Sequence, residues 1–272
     1  MGIKIKKILF TGCLFIAMGC ATVPLTGRRQ LSLVPDSQML AMSYQSYNQF
    51  KEENARALSP DAQATAMVKN VGSRIQRAVE TYMAQNNMSD QLEGFQWEFN
   101  LVENKEPNAW AMPGGKTMVY TGILPLTQNE TGLAVVMGHE VAHALARHGN
   151  ERMSQALAQQ MGGAALSVAM SSRPQETQSL FLSLYGVGSQ VGMLRYGRNQ
   201  ESEADHLGLI FMAIAGYNPQ EAIPFWQRMA RLSEGQQRPP DFLSTHPSSE
   251  TRVRNIERLL PEAMKYYQQA RR

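Results

Sequence analysis

Val135-Val136-Met137-Gly138-His139-Glu140-Val141-Ala142-His143-Ala144-Leu145-Ala146 is the stretch around which the rest of the chain is organised. Two histidines four residues apart lie on one face of a helix, one turn above the other. Both imidazoles can then reach a single ion at roughly 2.0–2.1 Å, the usual zinc–nitrogen distance. Glu140, beside the first histidine, is placed to take a proton from a metal-bound water. The flanking residues are apolar or small, as a buried helix carrying a metal requires. Two ordinary core histidines are the plainer explanation, but the chain has only five histidines, and a second motif downstream supports the metal.

That second motif is Glu201-Ser202-Glu203-Ala204-Asp205, opening a helix that runs through Leu207, Leu209, Ile210 and Met212 to Gly216. Glu201 and Asp205 share a face, and Glu203 points elsewhere. The separation suits a division of labour: Glu201 as third ligand, and Asp205 as acceptor for the spare N–H of a liganding histidine. A solvated acidic helix start is the usual fate of such residues, and only the histidine pair argues against it. Three protein ligands leave a fourth position for water, the mark of a catalytic zinc site. The expected cofactor is one zinc ion per chain.

Outward from the two motifs, the 272 residues suffice for one sizeable domain, and an apolar share of 43% is that of a globular protein. Residues 1–19 read as a lipoprotein signal peptide. Lys4, Lys6 and Lys7 form a basic start, Ile8 to Met18 an apolar run too short to span a bilayer, and Ala17-Met18-Gly19-Cys20 a lipobox. Cys20 would carry the lipid and attach the chain to a membrane, here expected to be the outer membrane of a Gram-negative bacterium with the domain facing the periplasm. Processing leaves that one cysteine, so no disulfide can form. Of 26 Lys+Arg the leader takes three, leaving 23 against 23 Asp+Glu. A mature chain of zero net charge gives no argument for nucleic acid. Residues 20–35 read as a tether, interrupted by proline and glycine and spanning at most roughly 50 Å. Residues 36–272 form the domain.

Within it, helices are predicted over 36–54, from Ser59-Pro60 to Tyr82, over 129–147 with Gly149 beyond the end, and over 151–170. Residues 171–178 read as a loop, and 180–194 as a glycine-rich apolar segment. Further helices follow over 201–216, 218–233 and 248–270, with 234–245 a polar loop. Phe95, Trp97, Phe99 and Leu101 alternate with polar residues as a half-buried strand, and Lys116–Gly122 is another. Between them, Asn108-Ala109-Trp110-Ala111-Met112 stops at Pro113, which cannot donate to a ladder, and at Gly114-Gly115, a turn. That makes it an edge strand, to which an extended polypeptide could add itself. Asn108, Ala109, Trp110 and Ala111 are the candidate substrate-binding residues; an ordinary hairpin is the alternative.

Taken together, His139-Glu140-x-x-His143 with Glu201-x-x-Ala204-Asp205 resembles the gluzincin metalloendopeptidases of the CAAX prenyl protease and HtpX family. Asn108-Ala109-x-Ala111-x-Pro113-Gly114-Gly115 resembles that family's edge strand, and Ser244-Thr245-His246-Pro247 with Arg252 also matches. The resemblance covers about Asp36 to Leu260. It lacks the family's transmembrane helices and is closer to a compact, lipid-anchored periplasmic branch acting in protein quality control. It implies a helix-rich α+β domain with a small sheet packed on the metal helix. It also implies a zinc endopeptidase for misfolded or unassembled proteins, with Glu140 as its base. The alternative is a metal-binding chaperone or scaffold with minor or latent proteolysis. The same resemblance brings His246 to the zinc site. There it is either a catalytic donor to the developing oxyanion or a fourth ligand that holds the enzyme latent.

Overall fold

The computed structural model describes residues 20–23, 25–161, 174–185, 196–233, 241–247 and 250–272. The leader expected over 1–19 lies outside them. So do the end of the helix expected to run to 170, most of the glycine-rich segment and residues 234–240.

The long elements follow the apolar periodicity. Helix α1 (Asp36–Glu53) and helix α2 (Ala62–Gln85) lead into strand β3 (Glu98–Val102). The cap of α2 is Asp61, whose carboxylate accepts from the Ala64 amide at 2.6 Å, so the helix starts after Ser59-Pro60 and not with it. Ser59 instead adopts a left-handed φ of 54° and donates its amide to Leu101. Strands β4 (Ala109–Met112) and β5 (Lys116–Tyr120) close a three-stranded sheet of order β3-β5-β4. β3 runs parallel to β5, and β4 runs antiparallel to it. β4 is therefore an edge, reached through a turn in which Gly114 and Gly115 take φ of +82° and +81°.

Helix α3 (Glu130–Leu145) carries the two histidines, capped by the Asn129 side chain, which accepts from the Gly132 amide at 3.0 Å. Leu133, Val136, Met137, Val141 and Ala142 are all fully buried, so α3 is apolar all round and central to the fold. Each large aliphatic side chain there contributes roughly 1.5–3 kcal/mol by burial. α3 ends earlier than predicted. Arg147 turns left-handed (φ 57°), and helix α4 (His148–Met161) starts at the next residue, so Gly149 is inside a helix and not beyond one. The expected loop over 171–178 also needs correction, since helix α5 (Pro174–Tyr185) begins there. Helices α6 (Arg198–Ile214), α7 (Ala222–Ser233), the short α8 (Asp241–Thr245) and α9 (Glu250–Ala270) complete the described chain. The sheet, α2 and α6 all pack on α3, which gives the expected helix-rich α+β arrangement. No helix of the described residues is long and apolar enough to cross a membrane.

The tether is the main departure in the fold. Cys20 opens strand β1 (Cys20–Thr22), which pairs antiparallel with β2 (Arg29–Leu31) as a hairpin lying on the domain. Val23 and Val34 are buried, the Leu33 amide donates to Ser154 Oγ at 2.8 Å, and Asn150 Nδ2 donates to the Val34 carbonyl at 2.8 Å. Two isolated valines have no period to read, yet each fills a core site that a free spacer would leave open.

Candidate metal centre

The site forms where α3 and α6 cross and α8 closes over them. His139, Glu140, His143, Glu201 and His246 are all buried. His139 Nε2 lies 3.0 Å from His143 Nε2 and 3.1 Å from His246 Nδ1. Glu201 Oε1 lies 3.3 Å from His143 Nε2 and 2.9 Å from His246 Nδ1. One donor atom from each of His139, His143, Glu201 and His246 falls within 4.8 Å of all the others. Donors around a tetrahedral zinc stand about 3.3 Å apart when bonds are roughly 2.0–2.1 Å. The observed separations match.

Hydrogen bonding on the far side of each ring decides what these nitrogens can do. His139 Nδ1 is 3.0 Å from Asp205 Oδ1, and His143 Nδ1 is 2.8 Å from His148 Nδ1. With their protons committed outward, the Nε2 atoms of His139 and His143 face each other as lone pairs. Two lone pairs at 3.0 Å repel unless a cation lies between them. The residues present therefore fit one metal ion, with Asp205 fixing His139.

Electrostatics support the assignment. Burial pushes His143 well below the usual imidazole range and lowers His139 as well, so both would meet a metal as neutral imidazoles. Burial acts to raise Glu201, but His246 and Arg252 outweigh it and hold its carboxyl well below the ordinary range. Arg252 donates to Glu201 Oε2 at 2.9 Å and to Asp205 Oδ1 at 2.6 Å, with its guanidinium 3.4 Å over the Trp226 ring. Burial pushes Glu140 up to about 7, opposed by His246 and Arg252; a bound cation would pull it down. Its Oε1 has no hydrogen-bond partner among the described residues and lies 3.4 Å from His246 Nε2.

β4 lies alongside. Tyr120 donates its amide to Asn108, so in this register Asn108, Trp110 and Met112 bond inward to β5. Ala109 and Ala111 direct their backbone groups to the outer edge. Of the four candidate substrate-binding residues, only these two alanines present main chain there. The Asn108 side chain is turned back to accept the Ala109 amide at 2.9 Å. Trp110 packs edge-on against Tyr47 and Phe50. A cavity of about 450 Å³ runs beside the edge, lined by Leu40, Phe95, Ala111, His143 and Tyr196.

Residues 70–260 match peptidase family M48. The chain belongs to that family. It is 34% identical over 244 residues to the mitochondrial metalloendopeptidase OMA1 of Schizosaccharomyces pombe, covering 89% of this chain and 66% of that protein. It is 31% identical over 277 residues to the protein of the same name from Saccharomyces cerevisiae, covering 98% of this chain and 77% of that one. The beta-barrel assembly-enhancing protease of Escherichia coli is 30% identical over 166 residues, 58% of this chain and 33% of its own. This M48 peptidase is thus a zinc metallopeptidase, its cofactor suited to the His139, His143, Glu201 and His246 group.

The same comparisons overturn one expectation. Relatives covering 89 to 98% of the chain are named as mitochondrial enzymes, so the placement facing the periplasm at a Gram-negative outer membrane does not stand. Basic residues ahead of a short apolar run do not by themselves say which compartment receives the chain.

Two further residues were not foreseen. His148, fully buried, stands behind His143, and Glu203 lies 2.9 Å from His148 Nε2. Glu203 does face away from the ligand cluster, but toward a second layer of the site and not toward solvent.

Proposed function

We propose that this M48 peptidase is an endopeptidase that cleaves misfolded or unassembled polypeptides laid in extended form along β4. One observation carries the reading: the buried Glu140 carboxylate meets the backbone of Ala111 on β4 on one side and lies 3.4 Å from His246 of the ligand cluster on the other. A strand added at that edge is held mainly by main-chain bonds, so selectivity for sequence is weak and unfolded chains are favoured. The name of the E. coli relative, an assembly-enhancing protease, supports a quality-control role.

Zinc, when bound, lowers the pKa of water toward about 7 and polarises the scissile carbonyl. Glu140 accepts the proton lost from the attacking water and returns it to the leaving amine. His139, His143 and Glu201 supply the donor atoms, and Asp205 holds the His139 tautomer. Ala109 and Ala111 fix the substrate's register. Attachment to a membrane through acylated Cys20 belongs to the same proposal, and mass spectrometry of the N-terminal peptide tests it.

The deciding experiment is casein digestion by the wild type, with and without chelator, and by Glu140→Gln loaded with zinc. Hydrolysis abolished by chelator and by Glu140→Gln supports the endopeptidase. A Glu140→Gln protein that keeps its full effect in cells overturns it in favour of a metal-binding chaperone.

A further inference from the structure

The two liganding histidines of α3 are held from behind in different ways. His139 meets a carboxylate directly, through Asp205. His143 meets a second imidazole, and the chain of contacts continues from there. His143 Nε2 belongs to the ligand cluster, so its Nδ1 carries the proton and donates to His148 Nδ1 at 2.8 Å. His148 therefore carries its own proton on Nε2 and donates it to Glu203 Oε2 at 2.9 Å. Glu203 also accepts from Arg28 Nε at 2.8 Å and from the Thr26 hydroxyl. Every direction in this series is fixed once His143 binds the metal through Nε2.

Arg28 closes the series from outside the catalytic elements. It stands on the turn of the β1–β2 hairpin, whose Gly27 has a φ of +70° and whose Val23 amide donates to the Arg28 carbonyl at 2.8 Å. The rest of its guanidinium makes a two-pronged pair with Glu151 of α4, at 2.9 and 2.8 Å. Gln200 of α6 donates to the same Glu151 at 2.6 Å. One planar cation thus ties the hairpin to α4 and α6, a geometry that lysine cannot reproduce. Val23 gives the hairpin an apolar anchor in addition to Arg28.

We propose that Arg28 is a positioning residue for the metal ligand His143, acting through Glu203 and His148. A residue on the N-terminal hairpin then sets how firmly the site holds zinc, though it touches neither metal nor substrate. Without Arg28, Glu203 keeps only the Thr26 hydroxyl and His148 as partners, so it holds His148 less firmly and the ring of His143 is less tightly fixed in one tautomer and angle. The inference rests on His143 being a ligand, as proposed above.

The test measures zinc affinity by competition with a chromophoric chelator, and the visible spectrum of the cobalt-substituted protein, on the full chain. Disturbing the partner behind a metal ligand typically lowers affinity by about 10–100-fold. Arg28→Ala and Glu203→Gln should fall in that range and shift the cobalt bands. Arg28→Lys should recover part of the loss, because an ammonium can reach one carboxylate but not both. Arg228→Ala removes a partly buried pair, 2.7 Å from Glu221, whose partners Glu221 and Leu126 are not residues of the site. It should lower Tm and leave zinc affinity unchanged. Wild-type zinc affinity and cobalt spectrum in Arg28→Ala overturn the proposal, as does an equal loss in Arg228→Ala. If Arg28→Ala does not fold, Glu203→Gln and Arg28→Lys decide: unchanged affinity in both overturns it. Failure of the wild type itself to bind zinc would instead overturn the ligand assignment.

Discussion

Gly138 and Gly208 meet backbone to backbone where α3 crosses α6. A Cβ on Gly138 would lie 2.9 Å from the Gly208 carbonyl oxygen, and one on Gly208 would lie 2.9 Å from the His139 amide nitrogen. Real Cβ atoms do not approach so closely, so the two glycines set the distance between the helix that carries His139 and His143 and the helix that carries Glu201 and Asp205. Neither needs glycine for its backbone conformation; both need it for room.

Gly208→Ala should therefore force the helices apart. The expected cost is about 1–3 kcal/mol in urea unfolding, as for other overpacked cores, together with reduced zinc content, since Glu201 and Asp205 move with α6. Full zinc occupancy at wild-type stability would show that the crossing tolerates the methyl group.

The ligand set makes a separate prediction. His139→Ala, His143→Ala and Glu201→Ala each delete a donor and should lower the zinc content of the purified protein below one per chain. Asp205→Asn keeps the shape but loses the charge that faces His139 and Arg252, and should weaken zinc binding by about 10–100-fold without abolishing it. Metal analysis after dialysis reads both. Zinc retained at one per chain in Glu201→Ala would remove Glu201 from the set.

Away from the site, Glu98 joins Lys51 at 2.7 Å and Lys116 at 3.1 Å beneath α1. Partial burial pushes its carboxyl up, but hydrogen bonds from Lys51, Lys116 and Asn100 outweigh that and hold it below the ordinary range. A depressed carboxylate stabilises the fold above its unfolded pKa and loses that contribution as pH falls through the folded one. Glu98→Gln should cost roughly 0.2–1 kcal/mol at pH 7, the range for a partly exposed pair. The difference should close on acidification below the usual carboxylate range. A gap that stays constant from neutral to acidic pH would mean the pair contributes nothing by charge.

What could be read from the sequence was what depends on neighbouring residues. The i, i+4 spacings of His139 with His143 and of Glu201 with Asp205 are properties of a single helix, and the edge character of β4 follows from Pro113 and two glycines. His148 was hidden because its position depends on a left-handed Arg147 that ends one helix and starts another. Glu203 and Arg28 lie 175 positions apart in sequence and meet only in the folded chain. The rarity of histidine was the one usable signal, since His148 follows His143 by five residues in a chain with five histidines. The hairpin looked like a tether for the same reason: its two anchoring valines bury against distant elements and leave no period.

His246 gives the sharpest test, because its two roles predict opposite signs. An oxyanion donor would stand clear of the ligand atoms and point at the substrate carbonyl. His246 does not stand clear. Its Nδ1 lies among the donor atoms, 2.9 Å from Glu201 and 3.1 Å from His139, while its Nε2 lies 3.4 Å from the Glu140 carboxylate. One ring thus stands at the fourth position, where water should bind, and also lies beside the base that should activate that water. The ring is held there by α8, whose Phe242 is fully buried, stacks on Trp226 and accepts the His246 amide at 2.8 Å. On the latent reading, activity requires α8 to withdraw. His246→Ala should consequently raise kcat on an unfolded substrate while zinc, still held by His139, His143 and Glu201, stays near one per chain. Phe242→Ala should act in the same direction by loosening the helix that delivers the ring. A fall in turnover of about a hundredfold in His246→Ala with zinc retained would make His246 a catalytic donor and rule out latency.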